Sequence, residues 1–263
     1  MSALTAAATD SATMLRRNLR RMIRYPSLTL LLLAVPISFL LLFVYVFGGT
    51  LGAGLGAAAG GRAEYLEYVV PGILMMTVAG AAQGTALTVA MDMAEGIIAR
   101  FRTMAIARAS VLTGHVVGNV IQTFISLTVV LGVAVLIGFR PHADPVQWLA
   151  LIGVLGLLTF ALTWASVALG LVSDTPETAS NLPMPLMFLP FLGSGFVPTD
   201  SMPAGLRWFA EYQPFTPAIE TIRGLLIGGP IGHSAVLTVA WSVAIATGSY
   251  LWARRLYDRD PVK

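Results

Sequence analysis

Long runs of uncharged apolar residues constrain this chain more than any other feature of its sequence. The first run, SLTLLLLAVPISFLLLFVYVF at Ser27–Phe47, holds no charged residue. A helix needs about 20 apolar residues to cross a bilayer. Of the 263 residues, 56% are hydrophobic and 11% are charged, whereas about 25% of the residues of a soluble domain are charged. The sequence therefore predicts a polytopic membrane protein.

The apolar runs predict six transmembrane helices within a single all-α domain, residues 1–263. Their approximate ranges are 27–47, 68–91, 111–139, 147–172, 182–197 and 232–252. The fifth range is short and contains Pro183, Pro185 and Pro190, and proline removes a backbone donor from a helix. The alternating ten-residue segments of a transmembrane β-barrel do not occur in the sequence.

The basic residues predict the orientation of the chain. With the N-terminus in the cytoplasm, twelve of the sixteen basic residues face inward: Arg16, Arg17, Arg20, Arg21, Arg24, Arg100, Arg102, Arg108, Arg254, Arg255, Arg259 and Lys263. Only Arg62, Arg140, Arg207 and Arg223 face outward. The positive-inside rule therefore predicts two cytoplasmic termini. Arginine in place of lysine, with abundant Ala and Gly, indicates a GC-rich bacterial genome, so we expect a multi-pass protein of the bacterial plasma membrane.

Charge is concentrated in the predicted cytoplasmic loop 92–110, which contains Asp92, Glu95, Arg100, Arg102 and Arg108. On a helix, Met93, Ile97, Phe101 and Met104 share one side, and Asp92, Glu95 and Arg102 share the opposite side. This pattern predicts a short amphipathic helix whose apolar ridge packs on another surface. The alternative is a basic loop that only fixes topology, although topology does not require the two acids.

Two further segments have helical spacing but are not predicted to span. Before the first span, Leu15, Leu19, Met22 and Ile23 align among five arginines, which predicts an interfacial helix on the inner leaflet or, alternatively, simple basic flanking. In the external segment 198–231, Phe215, Ile219, Ile222 and Leu226 align over a length too short to span. This predicts an interfacial or re-entrant helix that serves as an external gate, or an ordinary surface helix.

Polar residues inside the spans mark a candidate transport path. His115, Asn119, Gln122 and Ser126 form a stripe on the third span, and Gln83 lies in the middle of the second. Such residues either form interhelical hydrogen bonds or line a path. The GxxxG pairs Gly80–Gly84 and Gly114–Gly118 permit close helix approach. No span has an ionisable residue near its centre, which disfavours ion-coupled carriers.

The sequence offers little for catalysis or metal binding. It has no cysteine, and its three histidines, His115, His142 and His233, are scattered, so we expect no metal site, no catalytic residue and no bound cofactor. Ser194 and His233 loosely suggest an intramembrane serine protease, but the GxSG spacing of that family is absent. A P-loop needs a lysine to reach the phosphates, and the sole lysine is Lys263.

Three motifs occur in order along the chain: EYLEYVVPGIL at Glu64–Leu74, EGIIARFRTMAIARASVLTGHVV at Glu95–Val117, and GSGFVPTDSMPAGLRWFAEYQPFTPAIETIRGLLIGGP at Gly193–Pro230. Together they resemble the type-2 ATP-binding-cassette (ABC) exporter permeases, with the daunorubicin-resistance permease group as the nearest branch. In that family, the loop between spans two and three holds a coupling helix that docks on a cytoplasmic ATPase. The resemblance assigns docking to Glu95, Gly96, Arg100, Phe101 and Arg102, with Asp92 beside them. It makes the helix of Arg16, Arg17, Arg20, Arg21 and Arg24 a connecting helix.

The resemblance implies the permease subunit of an ATP-driven exporter. Its expected partners are a cytoplasmic ABC ATPase that binds ATP and magnesium, a second identical or paralogous permease, and membrane lipid. Nucleic acid is not an expected partner. The uncharged helix faces favour an amphipathic substrate such as a drug, antibiotic or lipid, exported by alternating access. A secondary carrier or channel is the alternative.

Overall fold

The computed structural model describes residues 26–54, 61–95 and 108–258, and every regular element in these ranges is helical. Helix α1 (Pro26–Leu42) continues through a π-helical turn at Phe43–Phe47 into α2 (Gly48–Ala53). The other helices are α3 (Arg62–Ala94), α4 (Arg108–Leu136), α5 (Pro145–Val172), α6 (Pro176–Asn181), α7 (Met184–Phe188), α8 (Ala204–Tyr212), α9 (Phe215–Ile227) and α10 (Ser234–Asp258). A 3₁₀ turn at Thr199–Ser201 precedes α8.

Five helices in the described ranges are long and apolar enough to cross a membrane: Leu32–Ala53, Arg62–Ala94, Val116–Leu136, Pro145–Val172 and Ser234–Leu256. They correspond to the predicted first, second, third, fourth and sixth spans. Local signals explain the sharp start of α5, because Asp144 Oδ1 accepts a hydrogen bond from the Gln147 N–H and Gln147 Oε1 accepts one from the Asp144 N–H. Pro145 occupies the first turn, where a missing N–H costs nothing.

The predicted fifth span is not a continuous helix. Residues 182–197 contain only the five-residue helix α7, followed by turns. Prolines explain the interruption: Pro183 immediately precedes α7, Pro185 lies in its first turn, and Pro190 follows its end. Each proline lacks the N–H that a continuing helix would use. An apolar composition alone therefore overestimated the helical length here.

Helix α3 lies at the centre of the fold and contacts α1, α4, α5 and α9. Its side chains Val69, Ile73 and Leu74 are buried in the main apolar core together with Phe215 and Ile219 of α9.

Close helix approach occurs at glycines outside the GxxxG pairs. A Cβ on Gly72 would lie 2.5 Å from the Gly195 carbonyl oxygen, and one on Gly170 would lie 2.6 Å from that of Ala86. At Gly80 a Cβ would meet nothing within 4 Å, so this member of the predicted Gly80–Gly84 pair makes no close approach to any other described residue.

The interrupted segment 180–196 runs antiparallel beside α3. Gln83 Nε2 donates to the Ser180 carbonyl at 2.7 Å, Gly72 packs on the Gly195 backbone, and the Tyr65 hydroxyl donates to the Phe196 carbonyl at 3.1 Å. From Gln83 to Gly72, α3 rises about 17 Å at 1.5 Å per residue. The segment therefore covers about half the thickness of a hydrocarbon core, about 30 Å, without forming a long helix.

The external segment contains two unlike helices. The predicted spacing in α9 is correct, since Phe215, Ile219, Ile222 and Leu226 are all buried. This helix packs on α3, α5 and α10 and ends at Gly228, whose positive φ of 85° suits a glycine. Its depth relative to the bilayer stays a prediction. Helix α8 contacts α9 and the preceding 3₁₀ turn, and most of its residues are exposed.

Candidate functional site

The C-terminal end of α3, which the basic residues predict to be its inner end, carries the described part of the predicted docking set. Asp92 is 3% exposed and faces the protein interior, whereas Met93 and Glu95 are exposed. Of the predicted apolar ridge, only Met93 lies within the described residues. Outside them lie Gly96, Arg100, Phe101 and Arg102, and also the connecting-helix residues Arg16, Arg17, Arg20, Arg21 and Arg24. Among the described residues, Glu95 is therefore the exposed member of the predicted docking set.

A small apolar cluster fixes the helices next to this end. Val89 of α3, Val116 of α4, Trp164 and Val167 of α5 and Ala253 of α10 are buried together. The Trp164 ring also meets Tyr250 of α10 edge to face, with centroids 4.9 Å apart. The cluster therefore joins the C-terminal part of α3 and the N-terminal half of α4 to α5 and α10.

The polar residues of the predicted transport path do not converge on one surface. Gln83 binds the Ser180 carbonyl of the interrupted segment, whereas Asn119 Nδ2 donates to Thr163 Oγ1 of α5 at 2.7 Å. Gln122 is half-buried and Ser126 is buried; the His115 side chain lies outside the described set. Of the two interpretations given for these residues, Gln83 and Asn119 thus fit interhelical hydrogen bonding. A role in lining a transport path stays a prediction.

A set of polar side chains that the sequence analysis missed caps the free backbone groups of the interrupted segment. Gln213 Nε2 donates to the Leu189 carbonyl at 3.0 Å, and Arg223 Nη2 donates to the Ser194 carbonyl at 2.6 Å. The Ser194 N–H donates to Thr216 Oγ1. Arg223 also donates to the Tyr68 carbonyl, and its guanidinium lies 4.0 Å from the centre of the Tyr68 ring. The sequence did carry a signal for these contacts, because prolines that end a helix leave backbone carbonyls that need hydrogen-bond donors.

The acidic loop between α5 and the interrupted segment is exposed at Asp174 and Glu177. Hydrogen bonds from its own backbone N–H and from the Thr175 side chain lower the pKa of Glu177. Thr175 also begins α6, since its Oγ1 accepts a hydrogen bond from the Thr178 N–H. The loop therefore presents two exposed acidic side chains near the end of α5.

The protease alternative gains no support from the site. Ser194 Oγ is buried and has no hydrogen-bond partner in the described parts of the chain, so it does not pair with His233. His233 itself is exposed. A nucleophilic serine requires a base within hydrogen-bond reach. Among the described residues, no group of three His, Cys, Asp or Glu side chains is placed to hold a metal ion.

Comparison with known proteins gives curated relatives for this architecture. The chain is 27% identical over 171 residues to the daunorubicin resistance ABC transporter permease protein DrrB1 of Streptomyces coeruleorubidus, covering 65% of this chain and 60% of that protein. It is 27% identical over 177 residues to the probable doxorubicin resistance ABC transporter permease protein DrrC of Mycobacterium tuberculosis, covering 66% and 64%. The ABC transporter G family member 20 of Dictyostelium discoideum is 24% identical over 190 residues, 70% of this chain and 25% of that protein.

The match to a family extends further along the chain than the match to single relatives. The chain spans about three fifths of the length of the two curated permeases. The family described as ABC-2 type transporter matches residues 10–227, which is well over half of the chain. The resemblance expected from the three sequence motifs is thereby confirmed. The chain belongs to the ABC-2 type transporter family.

Proposed function

We propose that this chain is the permease subunit of an ATP-driven exporter in the bacterial plasma membrane. The observation that carries the proposal is the family match over residues 10–227, on a chain with five long apolar helices in its described parts. Two of the similar proteins are named as a daunorubicin and a doxorubicin resistance permease, and these names support export. The substrate proposed for this chain is a hydrophobic or amphipathic compound such as a drug, antibiotic or lipid.

ATP hydrolysis is assigned to a separate subunit. The sequence holds one lysine, Lys263, and no glycine-rich turn precedes it, whereas a P-loop places a lysine after such a turn. ATP and magnesium would therefore bind to a cytoplasmic ABC ATPase. Its docking surface on this chain is the end of α3 with the loop that follows, where Glu95 is exposed.

The interrupted segment 180–196 is assigned as the fifth of six membrane crossings. Between its contacts with Gln83 and Gly72 it advances about 17 Å along α3. It runs toward the proposed outer side, and α10 then returns the chain to the cytoplasm. Irregular backbone is tolerated inside a bilayer only where the protein satisfies its polar groups. The capping of the Ser180, Leu189, Ser194 and Phe196 carbonyls supports this assignment. Six crossings leave both termini in the cytoplasm.

A second permease subunit, identical or paralogous, completes the proposed transporter. Large apolar side chains of α1 and α10 are exposed in the single chain, including Tyr45 and Phe47 at the π-helical turn and Val236 and Trp241 on α10. Lipid and a second subunit together would cover these faces. Gly80 adds a small open position on α3, and small residues allow close contact between membrane helices.

Coupling follows from the continuity of α3. This helix is 33 residues long, about 50 Å at 1.5 Å per residue, and links the docking end to the capped outer end. ATP-driven closure of the ATPases would displace the inner end and shift the helices between inward-open and outward-open arrangements. A preference of a few kcal/mol for one arrangement is enough to change its population by orders of magnitude.

The experiment is ATP-dependent efflux from proteoliposomes that contain the chain together with a candidate ABC ATPase. Export of a fluorescent amphipathic dye should require both proteins and ATP. Glu95→Arg should abolish efflux and co-purification of the ATPase, whereas Glu64→Arg, which reverses the same charge near the other end of α3, should preserve both. Efflux driven by an ion gradient without any ATPase would instead establish the secondary carrier. Unchanged efflux in Glu95→Arg would remove the docking role.

A further inference from the structure

Three polar atoms at the contact between the interrupted segment and α9 have no hydrogen-bond partner among the described residues. They are Ser194 Oγ, Gln213 Oε1 and Arg223 Nε, and each is buried. Ser194 is 4% exposed and Gln213 is 5% exposed. A buried polar atom without a partner costs free energy, so the great majority of such atoms in folded proteins bind protein groups or ordered water.

The three atoms belong to side chains that are tied to one another. Thr216 Oγ1 accepts hydrogen bonds from the Ser194 N–H at 3.3 Å and from Gln213 Nε2 at 3.4 Å. Arg223 Nη2 donates to the carbonyl of the same Ser194 at 2.6 Å. Gly193 leaves room for this arrangement, because a Cβ there would overlap the Gln213 amide and the Thr216 hydroxyl. These five residues form one unit, which we call the Ser194 cluster.

The orientation of the Gln213 amide is fixed by its other contact. Gln213 Nε2 donates to the Leu189 carbonyl at 3.0 Å, and a carbonyl oxygen accepts hydrogen bonds but does not donate them. Turning the amide over would place Oε1 against the Leu189 oxygen, so that two acceptors would face each other. Gln213 Oε1 is therefore an acceptor that needs a donor from elsewhere.

The chemistry of the three atoms indicates one class of ligand. Arg223 Nε is a positively charged donor, Gln213 Oε1 is an acceptor, and Ser194 Oγ serves as either. A metal cation would be repelled by the guanidinium, and a carboxylate or phosphate would face the acceptor oxygen of Gln213. A ligand that both donates and accepts fits all three atoms, and water is the smallest such ligand. Buried waters typically make about three hydrogen bonds to groups of this kind.

We propose that the Ser194 cluster binds one structural water molecule. The water accepts a hydrogen bond from Arg223 Nε, donates one to Gln213 Oε1 and bonds to the Ser194 hydroxyl. It adds a link between the interrupted segment and α9 to their direct contacts. Ordered water is one of the means by which membrane proteins satisfy the polar groups of broken helices. The site belongs to the folded chain whether or not the chain exports a compound, so it goes beyond the proposed function.

The sign of the effect of Ser194→Ala distinguishes a water-bound hydroxyl from an unsatisfied one. The change removes Oγ and keeps the backbone groups that bind Thr216 and Arg223. Loss of a hydroxyl that binds water should lower the melting temperature in detergent by about 2–4 °C. Loss of an unsatisfied hydroxyl should leave the melting temperature unchanged or raise it, because an unpaired buried group costs stability.

Ser242→Ala is the matched control. Ser242 Oγ on α10 is also buried and unpartnered among the described residues, and the hydrogen bonds of those residues do not connect it to a second such atom. The control should therefore not lower the melting temperature. An unchanged or raised melting temperature in Ser194→Ala would overturn the proposal.

Solid-state NMR of the full chain in lipid bilayers detects the water itself, by transfer of magnetisation from water to backbone amides. The pair Gly–Ser occurs in the sequence only at Gly193–Ser194 and Gly248–Ser249, so glycine labelled with ¹³C at the carbonyl and serine labelled with ¹⁵N give two signals. Ser194→Ala identifies the Ser194 signal by removing it. The Ser194 amide should receive magnetisation several-fold faster than the Ser249 amide, which lies in the apolar helix α10. Equal rates at the two amides would also overturn the proposal.

Discussion

The two ends of α3 differ in their contacts and in their exposure. At the outer end, Gly72 packs on the Gly195 backbone, the Tyr65 hydroxyl caps the Phe196 carbonyl, and the Arg223 guanidinium lies over the Tyr68 ring. At the inner end, Gly170 meets α3 at Ala86, Asp92 is buried, and Glu95 is exposed where the helix stops. One end is joined to neighbouring backbone by short polar contacts, and the other presents a charged surface.

This difference indicates how one helix serves two tasks. The contacts of the outer end hold irregular chain that could not otherwise satisfy its backbone inside a bilayer. The exposed acid at the inner end contributes little to stability and is free to bind another protein. Substitutions of the contact residues Gly72 and Arg223 should therefore change folding, whereas substitution of the exposed Glu95 should change transport without changing folding.

The largest effect on stability is expected for Gly72→Ala. The new Cβ would lie 2.5 Å from a backbone oxygen that cannot rotate away, so the free energy of unfolding should fall by about 3 kcal/mol, the upper part of the range for overpacking. Thermal denaturation in detergent measures the loss. Gly80→Ala is the matched control on the same helix, because its Cβ meets nothing within 4 Å, and it should leave the melting temperature unchanged or raise it. Equal effects of the two variants would contradict the close approach.

A smaller loss is expected for Arg223→Met. This change removes the donor to the Ser194 and Tyr68 carbonyls, and a hydrogen bond from a charged group contributes about 1.5–3 kcal/mol. The melting temperature in detergent should fall accordingly. Arg207→Met removes an exposed arginine from the neighbouring helix and should leave the melting temperature as it is. A stable Arg223→Met variant would show that the interrupted segment does not depend on this cap.

The Asn119–Thr163 pair should contribute about 0.6 kcal/mol, the average for polar pairs between membrane helices. A double-mutant cycle with Asn119→Ala and Thr163→Val measures this coupling energy. The pair joins α4 to α5 at 2.7 Å, away from the outer caps. A coupling energy of zero, together with an altered substrate range in Asn119→Ala, would favour the transport-path interpretation of Asn119.

The smallest effect on stability is expected at Glu95. Its side chain is exposed, so Glu95→Arg should change the free energy of unfolding by less than about 0.5 kcal/mol. The variant should extract from the membrane and melt as the unmodified chain does. A large loss of stability would mean that Glu95 belongs to the folded scaffold and would remove the contrast between the two ends of α3.

The sequence predicted the parts of this fold that depend on apolar length and periodicity. The long apolar runs located five of the helices, and the spacing of Phe215, Ile219, Ile222 and Leu226 identified the buried face of α9. Apolar length overestimated the helix at residues 182–197, because a span was predicted there although Pro183, Pro185 and Pro190 interrupt it. The partners of the freed carbonyls, Gln213 and Arg223, come from a distant segment that only the folded chain brings near.

The candidate sites were predicted less completely, for a similar reason. Helical spacing placed Asn119 and Ser126 on one stripe, but hydrogen-bond partners on other helices decide what such residues do. The local pattern also grouped Asp92 with Glu95, although the packing of α3 buries the first and exposes the second. The docking set itself came from family resemblance rather than from packing, and its role stays a proposal.

Site-specific cross-linking tests the central claim most directly, namely that a separate ATPase drives this permease through the inner end of α3. Glu95→Cys in the cysteine-free chain, assembled with the ATPase that supports efflux, should cross-link to that ATPase, and the yield should change when ATP is added. Glu64→Cys, near the opposite end of the same helix, should give no cross-link. Cross-linking from residue 64 but not from residue 95, while ATP-driven export proceeds, would contradict the account.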